Sequence, residues 1–138
     1  QPMGKDTHMA ETAAFKTGNE IRRKLMGDAY VERMAKTVYT DDVMGRFGAY
    51  ATEAVFGMLW SRPGLDLKTR TLICVVSDTV MGRPEELKIH LRMALRQGWT
   101  EDELVEAILH LGGYAGLPLA REALLTARET FQEIRSEE

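Results

Sequence analysis

The stretch "PEELKIHLRMALRQGWTEDELVEAILHL", residues 84–111, decides the fold. Pro84 suits the first position of a helix, and Leu87, Leu91, Ala94 and Leu95 then recur at helical spacing on one face. Gly98 closes that helix. Thr100 with Glu103 three residues later forms a capping-box signature, opening a second helix from 101 to about 111. Connections this short make consecutive helices pack as neighbours.

The same period extends outward in both directions. Upstream, "DLKTRTLICVVSDTVM" (66–81) is apolar on most faces through its middle and predicts the most buried helix. Downstream, "GGYAGLP" (112–118) interrupts the pattern before a last helix from about 118 to 135. Nearer the start, helices are expected at about 12–25 and 28–37, with Gly27-Asp28 between them. A third begins near Asp41-Asp42, carries Val43, Phe47, Tyr50, Ala51, Ala54 and Val55 inward, and ends near "WSRPG" at 60–64. No segment alternates over a strand length. The expectation is therefore an all-α chain, a compact helical domain of about six to seven helices spanning 10–138. The opening "QPMGKDTHM" (1–9) looks like an expression-vector remnant with the native start at Met9, which sets His8 aside.

Composition narrows the classes. A chain of 138 residues, 44% hydrophobic and 28% charged, fits one ordinary soluble domain without the marks of disorder. A net charge of −3 argues against nucleic-acid binding, which needs a clustered excess of Lys and Arg. With one cysteine, Cys74, neither an intramolecular disulfide nor a thiolate metal cluster can form, and a reducing cytoplasm is the expected location. No apolar run reaches the length of about 20 residues that a membrane span needs, and no secretory leader is visible.

Three groups of residues could carry chemistry. Glu86 and His90 stand at i and i+4 on one side of their helix, with His90 beside the apolar face and expected to be largely buried. They read either as a satisfied core histidine with a surface glutamate, or as a proton donor or acceptor whose tautomer a neighbour sets. Glu106 and His110 repeat the spacing one helix later. Helical di-iron sites use Glu-x-x-His with further glutamates, and zinc sites favour denser ligand sets, so no metal is expected. Trp60, Arg62 and Arg70 form the second group. Arginine forks hold carboxylates and tryptophan can wall off solvent; alternatively the arginines make helix-terminal salt bridges and Trp60 is core. Arg70, at the entrance to an apolar helix, calls for an anionic partner. The third is "GGYAGLP", whose glycines permit either a tight connection with Tyr114 in the core or a small wall of backbone N–H groups facing an anion. Cys74, in apolar surroundings, should have a high thiol pKa and a structural role.

Taken in order, "WSRPGL" (60–65), "KTR" (68–70), "ELKIH" (86–90), "ALRQGWTEDEL" (94–104) and "EAILHLGGYAGLPLA" (106–120) resemble the carboxymuconolactone decarboxylase family from about Gly18 onward. The resemblance implies an all-α fold of the alkylhydroperoxidase-like type that assembles as trimers or hexamers. The related peroxidase branch carries Cys-x-x-Cys followed after three residues by a histidine. The histidine matches His90, but Arg83 and Glu86 occupy the cysteine positions, which excludes dithiol chemistry and favours decarboxylation. What the resemblance implies is a carboxy-lyase without a cofactor, acting on a 4-carboxymuconolactone-like substrate of aromatic catabolism. Its site would hold His90 as proton donor, Glu86 orienting it, and Arg70 and Arg62 anchoring carboxylates or the lactone oxygen. Trp60, His110 and Tyr114 would line the pocket. The chain departs from the family pattern at Cys74, Ser77 and Asp78, where small apolar residues are usual, and at Trp99 and Gly112-Gly113. A paralogue acting on another small carboxylated compound, and a non-catalytic helical oligomer that binds a small acid, are the competing expectations.

Overall fold

The computed structural model describes residues 11–138, so the stretch expected to be a vector remnant lies outside the described residues. Among these residues the chain is all-helical, with seven α-helices and one π-helical segment. Its contacts gather into two compact units, one up to Gly64 and one from Leu65 onward.

The first unit contains α1 (Ala13–Met26), α2 (Asp28–Thr37) and α3 (Asp42–Tyr50), which runs directly into a π-helix over Ala51–Leu59. Thr12 caps α1 by accepting from the Phe15 N–H, and Gly27, at φ +86°, makes the turn into α2. Arg23 ties the two helices by reaching Asp28 at 3.1 Å and Glu32 at 2.7 Å. The π-helix lies against α1 with almost no side chain between the backbones. A Cβ on Gly18 would fall 1.9 Å from the Thr52 carbonyl oxygen, and one on Gly57 2.0 Å from the Ala14 carbonyl oxygen. Only glycine fits at either place.

The expected inward face of the third helix needs correction. Val43, Phe47, Tyr50 and Val55 are exposed, while the buried residues of the π segment are Thr52 and Gly57. Two causes combine. Across the π segment the wider turn, with Trp60 N–H bonding the Val55 carbonyl five residues back, changes the phase that a 3.6-residue period assigns to Val55. Glycine-mediated contact with α1 then replaces apolar side-chain packing.

The second unit is built from α4 (Leu67–Met81), α5 (Pro84–Arg96), α6 (Glu101–Gly112) and α7 (Leu117–Glu137). All four expected helices are present within two residues of their expected ends, including Pro84 in the first turn of α5 and the complete Thr100–Glu103 capping box. Val75, Leu87, Leu91, Ala94, Leu104, Ile108, Ala120, Ala123, Ala127 and Phe131 form one continuous core, to which α5, α6 and α7 each contribute a stripe and α4 contributes Val75. Ion pairs from Lys88 to Glu129 (2.7 Å) and from Arg92 to Glu137 (2.8 Å) join α5 to α7.

Here too an expectation fails. Helix α4 is not the most buried: it buries Thr71, Val75 and Thr79, whereas α7 buries six residues. Its apolar residues surround the axis, but only Val75, with Leu72 packed beside it, meets the apolar core, leaving Ile73, Val80 and Met81 exposed.

Candidate active site

Helices α4 and α5 form a tight pair around a single left-handed residue. Gly82, at φ +66°, ends α4, and the Arg83 N–H returns to the carbonyl of Asp78 at 2.9 Å before Pro84 begins α5. This places Asp78 about one turn before the end of α4 and His90 in the second turn of α5. The two side chains meet: His90 Nδ1 is hydrogen-bonded to Asp78 Oδ2. Both are largely withdrawn from water, with side-chain exposures of 12% for Asp78 and 20% for His90.

The carboxylate that contacts His90 is thus Asp78 of the preceding helix. Glu86, one turn before His90 on α5, is exposed. Helical spacing does not single out Asp78 as this partner, although a signal is present in the sequence. Asp78 is the one charged residue in "LICVVSDTVM" (72–81), and a carboxylate at a half-buried helical position needs a partner to offset desolvation. Nothing in the sequence alone aims it across the Gly82 turn at His90.

Cys74 lies one turn before Asp78 on α4. Burial, reinforced by the negative charge of Asp78, pushes its thiol up to about 11, the direction its apolar setting predicts. The sulfur therefore stays protonated at neutral pH and is a poor nucleophile.

Arg70 is half-buried in the first turn of α4, and its Nε donates to the carbonyl of Leu65 at 3.3 Å. It stands eight residues before Asp78 on the same helix, a rise of about 12 Å. His110 and Tyr114 contact each other, with ring centroids 5.1 Å apart, at the end of α6. Tyr114 is 83% exposed, so it lies outside the core. Gly116, at φ +108°, provides the turn into α7. Trp99 donates through Nε1 to the Lys68 carbonyl at 2.8 Å while the Lys68 ammonium sits 4.6 Å from the ring centroid, tying the start of α4 to the α5–α6 connection.

The remaining candidates belong to the first unit. Trp60 is buried there, packed against Phe56 at 5.9 Å between centroids, and Arg62 is exposed. Among the described residues no group of three or more His, Cys, Asp or Glu side chains is gathered as a metal site would require, and no helix is long and apolar enough to cross a membrane.

Comparison with known proteins matches residues 45–129 to the model of the carboxymuconolactone decarboxylase family, a span that includes Asp78 and His90. The chain is 36% identical over 126 residues to a 4-carboxymuconolactone decarboxylase of Acinetobacter baylyi, covering 91% of this chain and 92% of that protein. It is 33% identical over 122 residues to a nitrosuccinic acid decarboxylase of Metarhizium robertsii, covering 87% and 82% respectively.

Proposed function

This chain belongs to the carboxymuconolactone decarboxylase family, and from that we propose that it is a cofactor-independent decarboxylase of a small carboxylated compound, with a 4-carboxymuconolactone-like lactone as first substrate. The observation that carries this reading is a half-buried imidazole, His90, paired with a carboxylate inside the stretch that matches the family.

The chemistry asks little of the protein beyond charge and proton handling. In 4-carboxymuconolactone the bond from the γ-carbon to its carboxylate breaks, CO2 leaves, and the electron pair moves through the ring double bond to the lactone carbonyl oxygen. A proton then arrives at the α-carbon and restores the carbonyl. The substrate is its own electron sink. The enzyme's work is to hold carboxylates, stabilise the developing oxyanion and deliver that proton. His90 is the proposed proton donor, and Arg70, with a guanidinium suited to a carboxylate, is the proposed anchor. His110 and Tyr114 are proposed as substrate contacts at the end of α6.

A second substrate reading is favoured by the similarity to a nitrosuccinic acid decarboxylase. In nitrosuccinate the nitro group takes the electron pair as a nitronate, so the same proton-delivery machinery serves a different sink. Assaying the purified protein with both compounds separates the readings. Ultraviolet loss of the lactone with stoichiometric CO2 supports the first, and CO2 from nitrosuccinate alone supports the second. If both are inert yet raise the melting temperature, the protein is a binder of small acids. We also propose self-association, which would cover the exposed apolar residues of α3 and the π-helix.

A further inference from the structure

The Asp78–His90 contact says more about the histidine than that it is titratable. We propose that Asp78 is the positioning residue of His90: it accepts the Nδ1 proton, fixes the ring, and reserves Nε2 for the reacting carbon. This rests on the reading of His90 as the proton donor.

Three observations converge. The first is the hydrogen bond itself, which engages Nδ1. The second concerns the other nitrogen. No hydrogen bond to Nε2 is found among the described residues, and no buried side-chain nitrogen or oxygen in them lacks a partner, so Nε2 is not sealed from solvent. The third is the cost of placing Asp78 where it is. A carboxylate only 12% exposed, in an otherwise uncharged stretch of α4, loses hydration that the imidazole hydrogen bond offsets.

The pairing matters because of what His90 must become. As a donor the ring is an imidazolium with protons on both nitrogens. The Nε2 proton passes to the substrate carbon while the electron pair left by CO2 forms the new C–H bond. The ring left behind is neutral, with its proton on Nδ1. That is the tautomer an Nδ1-facing carboxylate favours, so donor and product states share one ring orientation. The pair also sets the local charge. With Asp78 ionised, it carries at most zero net charge, whichever state the imidazole is in. His90 is then a proton carrier and a poor anion clamp, and holding the substrate carboxylates falls to other groups.

The test reads the tautomer directly. In the uniformly 15N-labelled full chain, two-bond 1H–15N correlations assign the protonated nitrogen of neutral His90, with its signals identified by their absence in His90→Gln. The expected wild-type pattern is Nδ1–H, and in Asp78→Asn a mixed or reversed pattern. With whichever of 4-carboxymuconolactone or nitrosuccinate is turned over, Asp78→Asn should lower kcat on the order of 100-fold with KM little changed. Asp78→Glu should restore part of that loss. A wild-type Nε2–H tautomer overturns the proposal, even if Asp78→Asn fails to fold or both compounds are inert. So does an Asp78→Asn protein with unaltered tautomer and kcat. If His90→Gln turns over normally, the proton-donor reading fails instead, and the tautomer result still reports separately whether Asp78 fixes the ring.

Discussion

At the scale of single residues, the candidate site centres on two half-buried groups on neighbouring helices, His90 and Asp78, joined by a hydrogen bond. Replacing His90 by Gln keeps a polar side chain but removes the transferable proton, and turnover should fall by on the order of 100-fold or more in steady-state assays of a protein whose circular dichroism is unchanged. Arg70→Met keeps the aliphatic stem and removes the fork. If Arg70 anchors a carboxylate, kcat/KM should drop by about 10- to 100-fold, as expected for losing one charge-assisted hydrogen bond. Cys74 supplies the contrast. With its thiol pushed up to about 11, it should resist iodoacetamide at pH 7, and Cys74→Ser should retain turnover. His90 was legible as a candidate through the ordered family motifs around it, since its helical position alone suits a satisfied core histidine. The identity of its partner was not, because i, i+4 spacing advertises Glu86 while the actual contact spans twelve residues and a turn. Pattern arguments see neighbours along one helix far better than neighbours across two.

At the scale of elements, boundaries were legible wherever a side chain closes the end. Asp66, Pro84 and Thr100 with Glu103 mark three helix starts, and all three perform that capping or initiating role. Their energetics follow from the same bonds. The Thr100 N–H and hydroxyl hold the Glu103 carboxyl below its ordinary value of 4.5, and the Thr69 N–H does the same for Asp66. A lowered folded value contributes stability that is present above the unfolded value and is lost as pH falls through the folded one. Glu103→Gln should therefore flatten the acid side of the stability profile below about pH 4.5, measured as melting temperature against pH, and leave the alkaline side unchanged. What no pattern revealed was the π-helix, whose bonding to the fifth residue leaves no signature in apolar spacing. Its packing on α1 depends on backbone contact, so Gly18→Ala must push away the Thr52 carbonyl oxygen and Gly57→Ala that of Ala14. A destabilisation of about 1–3 kcal/mol is expected, read from denaturant midpoints.

At the scale of the whole molecule, a helical period states which residues want covering and is silent on what covers them. The sequence therefore predicts that Val43, Phe47 and Tyr50 leave water, while within one chain they remain at the surface. If a second copy covers them, light scattering should find an assembly larger than 15.5 kDa, and Phe47→Asp combined with Met58→Asp, at an exposed methionine of the π-helix, should reduce it toward that mass. A protein that is monomeric in both forms would remove self-association from the account. The junction between α4 and α5 carries a different consequence. Between the last residue of one helix and the first of the next stand only Gly82 and Arg83, so these two positions act as a phase-setting coupler. One inserted residue must either swell the turn or carry His90 round its helix by about 100°, out of reach of Asp78. Changes of specificity in this chain therefore have room in side chains and almost none in length there. Homologues with a longer linker would have to hold their histidine by some other means.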